Sequence, residues 1–341
     1  MALPVVDNRT EFTAVPRLLL DRSGEALVVI VKASFEWADG ALSLAPPERM
    51  RPVRDADIPW GEPEVSSIAY PADSCVRKPG TDVVVVAEAH APGGPQRSFD
   101  ARVVAGPVDK TVRLFGPRLW YADGEKMTDP EPVASVALRY ELAFGGFDDS
   151  DPERVVEEPR NPIGRGRVRD RAQLTHAPAP QIEDPGALLG DLGVAPAPAG
   201  VGAVGRHWAP RRDFAGTYDQ TWQETRAPLP PVDFDDRFHV CSAAGLWSQQ
   251  PLRGGEDVRL FNLLPDGVGL ETVLPVIELK IGIEAEGEVT VATPHLDTVL
   301  VDLLATDADK PPAIEMVWRT SVPAPRRLAR ARVVVQEEGG P

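Results

Sequence analysis

His239 and Cys241 stand two residues apart, the nearest approach in this sequence of a thiol to an imidazole. A thiol becomes a nucleophile when a neighbouring imidazole takes its proton, and folding, not chain position, supplies that neighbour. The remaining histidines, His90, His176, His207 and His295, are scattered and form no local pair with metal-ligand spacing. Asp233, Asp235 and Asp236 resemble part of a calcium loop. The glycine and the ligand spacing of an EF-hand are missing, so a solvated acidic turn is expected. Paired carboxylates could cleave a glycosidic bond, but nothing singles out one pair among many acids. The sequence contains no His-Glu-x-x-His, Gly-x-Ser-x-Gly or Walker run, and no Gly-x-Gly-x-x-Gly follows a predicted strand. Two cysteines, Cys75 and Cys241, are too few for a disulfide framework or a zinc site and read as buried thiols. The expectation is no catalytic residue, no metal and no cofactor.

A different chemistry is written between Trp208 and Phe238. Aromatics, arginines and acids alternate there, with prolines near both ends and few plain aliphatic residues. Such a segment is not an ordinary core strand. It is an ordered loop lying across the core or a surface built for contact. Trp208, Tyr218 and Trp222 each offer a broad apolar face with one polar handle. From Arg160 to Arg212 there are eight arginines, no lysine and four acids, a local excess of four positive charges in a chain of formal charge −16. Arginine forks pair with carboxylates and stack on aromatics, so they serve either internal salt bridges or an acidic partner. The candidate partner-binding residues are therefore Arg165, Trp208, Arg211, Arg212, Tyr218, Asp219 and Trp222. Among them Trp208 and Tyr218 are expected to hold the loop, and Arg165, Arg211 and Arg212 to form an exposed docking patch. The Asn161–Gly166 run could also expose backbone N–H groups as an anion nest.

The elements that must position these residues are mainly strands. Proline (36) and glycine (29) are abundant among 341 residues, which predicts many turns and few long helices. Ala26–Trp37, Asp82–Ala91, Phe99–Ala105 and Thr111–Phe115 are short apolar, β-branched runs bounded by turn signals. Val133–Phe144 fits helix and strand equally well. Closely spaced strands return after residue 251 and suggest an antiparallel meander. The expected fold is mainly β, an antiparallel sandwich or open barrel. The expected division is 1–147 (β-rich), 148–250 (irregular, with short helices near Asp219–Glu224 and Asp235–Ala243) and 251–341 (meander), or one intertwined domain. The acidic balance, with a pI near 4.8, argues against nucleic-acid and anionic-membrane partners. The N-terminus lacks a basic start and a long apolar run, and no apolar stretch is long enough to span a membrane, so a cytoplasmic location is expected.

Several motifs resemble, in the same order, those of a bacterial family of unknown function, number 2169. They are Lys78-Pro-Gly-Thr-Asp82 with its valine run, Ala89–Gly94, Phe115–Trp120, Leu138–Gly146, Asn161–Gly166, Trp208–Arg211, Ala215–Asp219 and Asp233–Phe238. The sequence departs at Ser242–Gln250, where the resemblance leads one to expect a shorter Pro-Asp-Gln-type turn. The resemblance implies a cytoplasmic adaptor or chaperone that binds a type VI secretion effector and loads it onto the VgrG spike, often with a PAAR-type tip. The alternative is a β-sandwich hydrolase or carbohydrate-active protein.

Overall fold

The β-branched runs fold as strands whose partners are mostly distant in sequence. The computed structural model describes residues 2–38, 41–189, 196–265, 269–304 and 311–338. Its principal strands are β1 (Val5–Asn8), β2 (Thr13–Asp21), β3 (Gly24–Ala38), β4 (Thr81–Val86), β5 (Ser98–Ala105), β6 (Val108–Phe115), β7 (Asp257–Phe261), β8 (Leu270–Val273), β9 (Leu279–Ala285), β10 (Glu288–Ala292), β11 (His295–Asp302), β12 (Ala313–Pro323) and β13 (Arg332–Glu337). The α-helix α1, Gln220–Thr225, is the only one among the described residues. The protein is mainly β, its sheets are mostly antiparallel, and none closes into a barrel.

Three sheets share one core. A seven-stranded sheet runs Trp247–Ser248, β4, β11, β12, β3, β2, with Ala41–Leu44 also paired to β3; the β4–β11 pair is parallel. A five-stranded sheet runs Ile182–Glu183, β6, β5, β7, β8. A four-stranded sheet runs β1, β13, β9, β10. Val29, Val31, Val83, Val85, Val299, Val301, Met316 and Trp318 alternate along one face of the large sheet. They pack against Val103, Val112 and Leu260 of the second sheet and Ile281, Ile283 and Val333 of the third. The strands after residue 251 do not form one meander. β7 and β8 join the second sheet, β9, β10 and β13 the third, and β11 and β12 the centre of the first. Val133–Phe144 is neither helix nor strand throughout: a three-residue strand, a 3-10 turn and a two-residue strand follow one another.

Candidate functional site

The opposite face of the seven-stranded sheet carries charge. Lys32 on β3, Asp82 at the start of β4, Thr298 and Asp302 on β11, and Glu315 and Arg319 on β12 share that face by register. A register shift between Leu296 and Thr298 inserts Asp297, a β-bulge residue, whose carboxylate lies 2.5 Å from the Arg319 guanidinium. These side chains are buried beneath irregular chain from residues 45–80 and 196–250, and they bind that chain down. Lys32 Nζ donates to Asp73 (2.8 Å), pairs with Glu315 (2.7 Å) and donates to the Pro52 carbonyl (3.0 Å). Arg54 donates to Glu315 at 2.7 Å, and its backbone N–H donates to Asp73 at 2.8 Å. Arg319 reaches the Asp73 carbonyl and donates to Cys75 Sγ at 2.7 Å.

Lys78 and Asp82 form the second knot. Lys78 Nζ donates to Asp82 at 2.6 Å and to Thr298 Oγ1 at 2.8 Å. Asp82 accepts from the N–H of Cys241 (3.0 Å), the N–H of Ser242 (3.2 Å) and Ser242 Oγ (2.6 Å). One carboxylate thus ties the covering segment to the sheet. Burial most strongly opposes the ionised form of Lys78, but Asp82, Cys241, Asp297 and Cys75 together outweigh it and hold the ammonium pKa above its usual value. Burial likewise raises Asp82, and Lys78 with the Cys241 N–H overturns this, keeping the carboxylate ionised. Lys32, Arg54, Lys78 and Arg319 are thus paired with Asp73, Asp82, Asp297 and Glu315 largely out of water, and Asp302 on the same face accepts from the Tyr70 hydroxyl at 2.9 Å.

This knot also settles the chemistry of Cys241. Burial and the nearby Asp82 carboxylate push its thiol up to about 12, so it stays protonated. His239 is packed against Phe234 and Phe238. Burial, then the positive charges of Arg319 and Arg211, pushes its imidazole down to about 3. The departure at Ser242–Gln250 is structural: Ser242 caps Asp82, and Trp247–Ser248 extends the sheet beside β4. Gly80 is required there, since a Cβ would stand 2.2 Å from the Ser248 carbonyl oxygen.

The central segment lies on this lid and is fastened at its foot. Trp208 is buried and meets the Tyr140 ring edge-on at 5.3 Å, in a cluster with Val204 and Ile163. Gly200 and Gly205 let the chain pass these rings, because a Cβ would stand 2.8 Å from Tyr140 and 3.0 Å from the Trp208 indole nitrogen. Arg211 donates to the carbonyls of Val204 (2.6 Å) and Phe238 (2.9 Å). The Asn161–Gly166 run is a staple. Asn161 Nδ2 donates to the carbonyls of Tyr140 and Phe144, and the N–H of Arg165 donates to Ala143 at 2.9 Å. The expected anion nest is corrected, because the N–H groups of Asn161, Gly164 and Arg165 are spent on backbone carbonyls.

Beyond the foot the chain projects as an arm, residues 217–233. Asp233 closes its base by accepting from Thr217 N–H (3.0 Å) and Oγ1 (2.7 Å). Gly216 sits at φ +81° in this closure, where a Cβ would meet Asp233 Oδ1 at 2.9 Å. Asp219 caps α1 by accepting the Trp222 N–H at 2.7 Å. Trp222 Nε1 donates to the Leu229 carbonyl at 2.8 Å, and Tyr218 rests edge-on against its ring at 4.6 Å. The arm leans on the β2–β3 turn, where Arg226 donates to the Arg22 carbonyl (2.6 Å) and Arg22 donates to the Phe234 carbonyl (3.2 Å). Asp235 caps the next 3-10 turn and pairs with Arg237, while Asp236 faces Arg22 and Arg77. The expected acidic turn is solvated at Asp233 and Asp235, and its carboxylates also make these structural bonds.

The base of the arm carries exposed apolar surface. Tyr218 is 55% exposed and Val232 75% exposed, with Trp222 half-buried between them. This corrects the expected division of labour. Arg211 is buried and holds the loop, whereas Tyr218 is presented to solvent. Arg212 is exposed and pairs with Glu157 at 3.1 Å; Arg165 is half-buried, and desolvation lowers its pKa. Trp208 holds the loop as expected. One acid of the arginine-rich window, Asp191, lies outside the described residues.

Residues 22–319 match DUF2169, a family described as an uncharacterized protein conserved in bacteria. The chain belongs to this family. No curated protein and no solved structure matches it. Several motifs of this DUF2169 chain are now explained as fastenings: Lys78–Asp82 ties the lid, Asn161–Gly166 staples the turn after Tyr140, and Trp208–Arg211 anchors the foot of the arm. Among the described residues no group of histidine, cysteine or carboxylate side chains is placed to hold a metal ion, and no helix is long and apolar enough to cross a membrane. The buried ionic network was missed from sequence, although its signal is visible: single charges inside apolar runs, as at Lys32, Asp82, Asp297, Glu315 and Arg319.

Proposed function

We propose that this protein is a cytoplasmic adaptor that captures a secreted type VI effector and presents it to the VgrG/PAAR spike. The observation that carries the reading is the arm. Tyr218 and Val232, with half-buried Trp222 beside them, put apolar surface into water just beyond a foot fastened by buried Trp208 and Arg211. Aromatic side chains held in place by a rigid base are the usual energetic centre of a protein–protein contact, because little ordering entropy is lost on binding. Arg212 stands exposed near the foot and can supply a polar rim. Membership of DUF2169, together with the resemblance of its ordered motifs to type VI-associated members, supports effector and spike as the partners.

The test is delivery. Deleting the gene should abolish transport of one cognate effector while other effectors of the same apparatus still travel. Loss of all secretion would make the protein a component of the apparatus itself, and unchanged delivery would contradict the adaptor reading.

A further inference from the structure

A second surface has the marks of a docking edge. Strand β10 ends the four-stranded sheet and, among the described residues, pairs only with β9. The two are joined by a two-residue turn, Glu286-Gly287, both at positive φ. That turn makes Ala285–Glu288 a hydrogen-bonded pair, so Ile283–Thr290 and Ile281–Ala292 are hydrogen-bonded too. The N–H and C=O groups of Val289 and Val291 therefore point away from the sheet. Both valine side chains are 64% exposed. Natural edges are guarded by proline, lysine or a bulge, as β2 is by Pro16 and Arg17 at the edge of the large sheet. The β10 run, Glu-Val-Thr-Val-Ala, has none of these, and its register with β9 is regular.

Charge selects the occupant. Glu284, Glu286 and Glu288 surround the turn end of β10 beside Arg330 and Arg332, of which Arg332 pairs with Glu284 at 3.8 Å; the acids outnumber the arginines there, and the whole chain carries −16. A second copy would bring the same excess to the same edge, while a basic strand would be drawn to it. Past its other end, Thr293 and Pro294 join Ile277, Leu279, Trp318, Glu278 and Arg253 in lining a cleft of about 780 Å³. We propose that β10 docks an extended, basic segment of a partner protein, which adds to the sheet as a fifth strand and seats an apolar side chain in this cleft. The proposal goes beyond the adaptor reading and does not depend on the arm.

Selection of a random linear peptide library against the full-length protein, followed by anisotropy titration of the winners, tests it. Winners should alternate β-branched residues with lysine or arginine and bind more weakly as salt is raised. Val291→Pro removes only an outward N–H, so the β9–β10 bonds survive. It should weaken binding about tenfold, the equivalent of one or two backbone hydrogen bonds. Should proline disturb the melting curve, Val289→Lys with Val291→Lys keeps the backbone and repels a basic peptide, and the same loss is expected. Failure to enrich any peptide, winners lacking basic residues, or binding indifferent to both variants would overturn the proposal. A wild-type dimer dissolved by Val291→Pro would also overturn it, by giving the edge to a second copy.

Discussion

The two faces of the seven-stranded sheet are built from the same strands and meet opposite neighbours. One face is valine, isoleucine, methionine and tryptophan and packs on two further sheets, which bring apolar faces of their own. The other sets buried charges among two small apolar clusters, Val28, Ile30 and Val317 in one and Val84, Val86 and Leu300 in the second, beneath chain that has almost no regular structure. Irregular chain arrives with unpaired carbonyls and N–H groups, which an apolar surface cannot satisfy. On this face Lys32 satisfies the Pro52 carbonyl, Arg319 the Asp73 carbonyl, and Asp82 the N–H groups of Cys241 and Ser242. Apolar packing tolerates sliding and repacking, whereas a charge network accepts one registration. The ionic face thereby fixes where the lid lies, and with it the arm.

The largest effect should follow from breaking a knot. Asp82→Ala strands the Lys78 ammonium and two backbone N–H groups, and should cost the upper part of about 3–5 kcal/mol in chemical denaturation. Trp208→Ala empties the small cluster at the foot of the arm and should cost about 3 kcal/mol. A Trp208→Ala protein that melts like the wild type would show that the lid does not depend on this anchor.

Acid provides a graded test of the same face. His239 is held down to about 3 against an ordinary 6.5, so below pH 6.5 the unfolded chain takes a proton that the folded chain refuses. Glu315 is held down to about 2 although burial opposes it, because Lys32 and Arg54 flank it. Its contribution is complete above the ordinary value of 4.5 and is lost as pH falls toward 2. Stability should therefore decline from about pH 6.5 downward, more steeply below 4.5, and His239→Gln should postpone the first part. A flat profile between pH 6.5 and 5 would remove His239 from the account.

Charge reversal at the surface should do least to the fold. Arg212→Glu loses one exposed pair with Glu157, worth about 0–1 kcal/mol. The same reversal at Arg211 buries an acid among carbonyls and should unfold the foot. The two arginines are adjacent, yet a 3-10 turn spanning Arg211–Phe214 sends successive side chains in different directions.

That pair marks where the sequence stops being legible. The strand runs were readable because periodicity is local: Ala26–Trp37 became β3, and Phe99–Phe115 became the β5–β6 hairpin with a shorter turn than expected. The short helical turns near Asp219 and Asp235 were readable because caps are local as well. Sheet membership was not, since β4 lies parallel to β11 from more than two hundred residues away. The roles of Arg211 and Tyr218 were unreadable for the same reason. Their neighbours, Val204, Phe238 and Trp222, are chosen by the folded path of an irregular segment rather than by spacing. Charges inside apolar runs did announce the ionic face, and Lys32 within Ala26–Trp37 is its plainest sign.

The central claim is that the fastened lid holds the arm's aromatics out for a partner. The direct measurement is a paired melt and effector pull-down on Tyr218→Ala with Trp222→Ala, set against Trp208→Ala. The arm variant should lose capture, by about 2 kcal/mol of binding or more, while melting close to wild type. The foot variant should lose stability first. Full capture by a folded arm variant would contradict the account.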